Sequence, residues 1–111
     1  MSRTRVRELV VVYDVGCAHC SRIARELPDC VTVRVRVRSC QDPALPDIYP
    51  NLRRHPGITR CATPGIGVVR TDGSVRWWTG LRGVVGITPV LRPGSLPAAV
   101  TLLRTALKAR R

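Results

Sequence analysis

Two cysteines separated by an alanine and a histidine, Cys17-Ala18-His19-Cys20, are the residues of this chain best suited to chemistry. A thiol reacts as its thiolate, and the unpaired N–H groups at the start of a helix stabilise that anion. Cys17 follows the apolar run Leu9-Val10-Val11-Val12-Tyr13 and the breaker Gly16, and it precedes a helical pattern, so it is expected at a strand-to-helix junction. The spacing sets the second thiol about one turn further on, within reach of a low-strain disulfide. The chemistry this allows is thiol–disulfide exchange: Cys17 attacks a disulfide, and Cys20 attacks the resulting mixed disulfide and releases the reduced partner. His19 can stabilise the Cys17 thiolate and make the pair more oxidising; otherwise it is a surface histidine without a role. A zinc site needs four ligands, and no second Cys or His pair accompanies this one. Cys30, Cys40, Cys61, His19 and His55 could complete one but have no metal-ligand spacing, so no metal is predicted, and a small metal-binding protein using Cys17, Cys20 and Cys61 stands as an alternative. The predicted cofactor is none beyond the redox-active disulfide Cys17–Cys20, and the third alternative is an inert pair.

The elements that must position these residues can be read from hydrophobic period. Leu9 to Tyr13 is a continuous apolar run, which suits a strand covered on both faces. From Cys17 to Leu27 the pattern is helical, with Ile23, Ala24 and Leu27 on one stripe, and Pro28 is expected to stop it. Val31-Thr32-Val33-Arg34-Val35-Arg36-Val37-Arg38 alternates strictly, valines on one face and arginines on the other. Three arginines cannot be buried unpaired in a central strand, so this strand is placed at an edge. The arginine row protects that edge from aggregation, or it docks an acidic partner. Residues 41–60 carry Pro43, Pro46, Pro50 and Pro56, which leaves room for a short helix around Ile48 to Arg54. A hairpin follows: Ile66 to Arg70, a turn at Thr71-Asp72-Gly73-Ser74, then Val75 to Trp78. Of the adjacent Trp77 and Trp78, one is expected in the core and the other toward solvent, under a loop. Residues 81–94 give no assignment. Ser95 caps a last helix with a stripe of Leu96, Ala99, Val100, Leu103, Ala106 and Leu107, ending in Lys108, Arg110 and Arg111.

The order strand, helix, strand, irregular segment, hairpin, helix predicts an α/β fold. It has a four-stranded mixed sheet, made of a parallel βαβ unit plus an antiparallel hairpin, flanked by helices. With 111 residues there is room for a single domain over 1–111. No apolar run approaches a membrane span, and the short run after the basic N-terminus ends at Asp14 without a cleavage site, so a cytoplasmic location is expected. In that compartment Cys30, Cys40 and Cys61 are expected as free, partly buried thiols. The net charge of +12 comes from nineteen basic residues, of which Lys108 alone is a lysine. Arg without Lys, beside many Ala, Val, Gly and Pro, is the composition a GC-rich coding sequence imposes. Such charge draws anions at low salt, but by itself it does not point to nucleic acid.

The segment Gly57-Ile58-Thr59-Arg60-Cys61-Ala62-Thr63-Pro64-Gly65-Ile66-Gly67-Val68-Val69-Arg70-Thr71-Asp72-Gly73-Ser74-Val75, taken with the Cys pair, resembles the thioredoxin superfamily. In that family a Thr-Pro or Ile-Pro dipeptide precedes a strand, a tight glycine turn and a second strand. The resemblance implies a minimal, glutaredoxin-like thiol–disulfide oxidoreductase over roughly residues 8–80. By that resemblance Pro64 is cis and faces the Cys pair, and the Thr63 backbone pairs with a substrate chain. Gly65 and Gly67 would leave room for that chain to approach. Cys-x-His-Cys is similar to the oxidising branch, and Tyr13-Asp14-x-x-Cys17-x-x-Cys20 is also similar to the small DCC family of thiol–disulfide oxidoreductases. Where the family has a buried acid this chain has Val11, with Asp14 as the substitute. The implied partners are protein or small-molecule disulfides and thiols.

Overall fold

Leu9, Val10, Val11 and Val12 have no solvent exposure, which requires a strand with a layer on each face. That strand is β1 (Val6–Tyr13), and in the computed structural model it lies inside a four-stranded sheet of order β2-β1-β3-β4. The structure describes residues 5–14, 16, 18–79 and 82–109, and for residues 18–20, 103 and 105–109 the backbone alone. Helix α1 (Ala18–Cys30) returns the chain so that β2 (Arg34–Ser39) runs parallel to β1, with Leu9 opposite Val35 and Val12 opposite Arg38. On the other side of β1, β3 (Gly65–Arg70) pairs antiparallel, with Val12 opposite Gly65. Its hairpin partner β4 (Val75–Thr79) completes the sheet. The α/β class, the mixed sheet, the hairpin and the edge position of β2 agree with the sequence expectation.

Strand period divides the apolar side chains between two layers. Leu9, Val11, Ile66 and Val68 face helix α1, helix α4 (Arg82–Ile87) and helix α5 (Leu96–Ala109), where Ile23, Leu27, Ile87, Ala99 and Leu102 meet them. Val10, Val12, Val69 and Trp77 face the opposite way, onto Leu45, Leu52 and Ile58. These three come from helix α2 (Leu45–Ile48), a 3-10 turn (Pro50–Arg54) and helix α3 (Pro56–Thr59). Each fully buried large aliphatic of this kind stabilises the fold by about 1.5–3 kcal/mol.

Several local expectations are corrected. Helix α1 does not stop at Pro28 but runs through it to Cys30. So near the helix end, proline removes only the one N–H that would bond back to Ala24, and burial of Leu27 and Cys30 holds the last turn. Strand β2 begins at Arg34 rather than Val31, because residues 30–32 bond elsewhere: Thr32 N–H to the Val90 carbonyl and Arg92 N–H to the Cys30 carbonyl, both at 2.8 Å. The unassigned stretch forms α4 and a 3-10 turn (Thr88–Val90). Helix α5 buries Ala99 and Leu102, while Leu96 is exposed. The side chains of Leu103, Ala106, Leu107 and Lys108, and all of Arg110 and Arg111, lie outside the described residues. Neither tryptophan is left to solvent: Trp77 packs in the second layer, and Trp78 packs against the first with Arg76 over its ring at 4.6 Å.

Candidate active site

The β1–α1 junction is built by the chain leaving the sheet at Tyr13 and entering a helix at Ala18. Between them the Asp14 carboxylate accepts the Gly16 N–H at 2.9 Å, an Asx turn that redirects the backbone. The backbone of Ala18, His19 and Cys20 forms the first turn of α1. Cys17 lies outside the described residues, as do the side chains of His19 and Cys20.

Two other segments reach the same end of the sheet. The register of Val12 opposite Gly65 brings Thr63 and Pro64 to the end of β1. The Tyr13 carbonyl accepts the Cys40 N–H at 3.0 Å, which brings the end of β2 there too. Of the sequence candidates, the described backbones of 19, 20, 63 and 64 therefore belong to segments converging on one sheet end; 17 lies outside the described residues.

The details of the Thr-Pro segment differ from the expectation. The described peptide bonds, Thr63–Pro64 included, are all trans, so the cis proline implied by resemblance is corrected. A trans X-Pro bond is favoured by about 0.5–1 kcal/mol, and here the approach to Pro64 is set upstream. Ala62 and Thr63 both donate their N–H groups to the Gly57 carbonyl, at 2.9 and 3.2 Å. Pro64 is buried and Thr63 half-buried. The space above Gly65 and Gly67 is filled by the chain itself. A Cβ on Gly65 would lie 2.5 Å from Ile58 Cδ1, and one on Gly67 would lie 2.7 Å from Trp77 Cζ3. These glycines make room for the molecule's own second layer, not for a partner chain.

Cys40 and Cys61 are not free thiols: they form a disulfide, with Cα atoms 5.5 Å apart and a sequence separation of 21. That expectation is corrected because the folded chain carries both to the same sheet end, at a separation a disulfide spans. Cys61 has φ 60°, the left-handed conformation usual for a glycine just after a helix. A cysteine occupies it here, its N–H bonded to the Ile58 carbonyl at 3.1 Å, and the bond to Cys40 ties it down. No spacing rule reveals this pair; the available hint is that the two residues bracket the proline-rich segment. Cys30 behaves as expected. It is free, 6% exposed, and packed as a small hydrophobe against Leu27. Burial first, then the charges of Asp29 and Glu26, push its thiol pKa up, so it is protonated and inert near neutrality.

Among the described residues no three His, Cys, Asp or Glu side chains gather as a metal site. Cys61, a candidate third ligand for Cys17 and Cys20, is bonded to Cys40. No described helix is long and apolar enough to cross a membrane. No protein-family model, curated protein or solved structure matches this chain.

Proposed function

We propose that this protein is a thiol–disulfide oxidoreductase working through Cys17 and Cys20. One observation carries the reading: the backbone leaves a buried strand at Tyr13 and starts a helix at Ala18, with 18–20 of the motif forming its first turn. That is the setting in which first-turn N–H groups stabilise a thiolate.

In the reductive direction the Cys17 thiolate attacks a substrate disulfide, forming a mixed disulfide and expelling one substrate thiolate. The Cys20 thiol then loses its proton and attacks the Cys17 sulfur. The second substrate sulfur leaves as a thiolate and takes up a proton, and Cys17–Cys20 is oxidised. The reverse sequence oxidises a dithiol, and neither direction needs a bound cofactor. His19 stabilises the thiolate at Cys17. Asp14, half-buried at the junction, is the carboxylate on the β1 side of the motif that can receive the Cys20 proton. Thr63 and Pro64 border the approach to the pair. They do not offer a ladder to a substrate, since the Thr63 N–H is taken by Gly57 and β3 is paired on both sides. The substrates are protein or small-molecule disulfides and thiols.

The test is insulin-disulfide reduction. Cys17→Ser is expected to abolish it, and Cys20→Ser to accumulate mixed disulfides. A Cys40→Ser/Cys61→Ser double variant should keep turning over under conditions where it stays folded. Undiminished turnover by Cys17→Ser overturns the proposal.

A further inference from the structure

Strand β2 has a second, unused side. It lies at the edge of the sheet, and among the described residues no strand pairs with its outer margin. The phase of its backbone follows from one bond. The Cys40 N–H reaches inward to the Tyr13 carbonyl, so at period two Arg34, Arg36 and Arg38 also turn their N–H and C=O groups toward β1. Val35 and Val37 turn theirs outward, where no described group bonds to them. The margin is short, open and unprotected by proline or a bulge. Val37 adds 46% of its surface to it.

The arginines stand in a row on one face of this margin, repeating every second residue, about 6.6–6.8 Å apart. Arg36 is neutralised by Glu8, Nε to carboxylate 2.7 Å. Among the described residues Arg34 and Arg38 have no carboxylate partner. An arginine row at an edge repels a second copy of itself: antiparallel β2–β2 pairing would set guanidinium against guanidinium. The same row selects the opposite charge. A strand with carboxylates at alternate positions repeats at the same distance, so its acids fall opposite or diagonal to Arg34 and Arg38 while its backbone meets Val35 and Val37.

We infer that the outer edge of β2 is a docking site for an extended, acidic segment of a partner protein, added as a fifth strand. A single-stranded nucleic acid would satisfy the charge but wants aromatic rings to stack on. The tryptophans are on β4, at the far edge, and both are packed. The inference is independent of the Cys17–Cys20 chemistry.

The probe is a short end-capped peptide alternating Glu and Val, titrated at low salt against the whole protein. Three controls accompany it: the same peptide N-methylated at alternate residues, a block-sequence isomer of equal charge, and oligo-dT. Saturable binding is expected that weakens as salt is raised. N-methylation should weaken it roughly tenfold or more, since it removes main-chain bonds to Val35 and Val37. Arg34→Glu with Arg38→Glu should weaken it at least as much, with the unfolding midpoint of that variant measured to show it is folded. No saturable binding of the alternating peptide overturns the inference. So does equal binding of the N-methylated or block peptide, equal or tighter binding of oligo-dT, or indifference to the double charge reversal.

Discussion

The two faces of the sheet are covered by different means. On one, α1 lies against β1 with α5 packed on α1, and they contribute Ile23, Leu27, Ala99 and Leu102 from apolar stripes of helical period. On the other, residues 41–63 carry prolines that forbid a long helix, and their cover is made of two single-turn helices and a 3-10 turn. That segment is secured by specific bonds. Cys40–Cys61 closes it at the sheet end. Asn51 ties its middle to β4, donating to the Val75 carbonyl at 2.5 Å and accepting from Trp77 Nε1 at 3.0 Å. Tyr49 sets its ring edge against Trp77, centroids 5.5 Å apart. A regular helix satisfies its own backbone and needs only burial to hold it. An irregular cover leaves more to be decided by individual contacts.

This contrast can be broken most directly in the two cores. Leu27→Ala in the helical layer and Leu52→Ala in the irregular one, both fully buried, are each expected to cost about 2–5 kcal/mol in urea unfolding. A cost near zero for Leu52→Ala would mean the second layer is not a core at all. Next in size, removing the disulfide by Cys40→Ser/Cys61→Ser should cost about 3 kcal/mol, from the loop entropy it restricts in the unfolded chain. Its sharper readout is coupling. Leu27→Ala should add to the loss of the disulfide within experimental error, whereas Leu52→Ala should not, because only Leu52 lies in the stapled segment. Additivity at both positions would show that the staple does not organise its own layer. Asn51→Ala is expected to cost about 1–3 kcal/mol by leaving the partly buried Trp77 N–H and Val75 carbonyl unpaired, with a change in tryptophan fluorescence as the independent sign.

The smallest expected effect belongs to the helical layer. The Cys30 pKa is raised above its ordinary value of 9.0, mainly by burial. The folded state therefore holds the proton more tightly, and this contribution is complete below that value and lost as pH rises through the folded pKa. Urea midpoints of wild type and Cys30→Ala should accordingly converge as pH is raised past about 9. A constant gap would show that the thiol does not stay neutral in its pocket.

How much of this was legible in advance differs between the same two regions. Leu9 to Tyr13, the stripe of Ile23 and Leu27, the alternation through Arg38 and the Asp72-Gly73 turn each encode their environment in their own period, and each proved readable to within a few residues. The turn from β1 at Tyr13 into the helix that starts at Ala18 was readable for the same reason. The second layer was not. The prolines announced irregularity without saying how it would be held, and Gly65 and Gly67 looked like open space until Ile58 and Trp77 were seen to fill it.

By itself, the order of residues determined the four strands, helix α1 and helix α5 to within a few residues, and that β2 is an edge, because burial repeats with the period of the backbone. The folded arrangement alone decided that Cys40 meets Cys61, that Pro64 is trans and buried, and that both tryptophans are covered. Those outcomes depend on contacts between residues far apart in the chain, and no local spacing carries the distance between two side chains that only the completed sheet brings together.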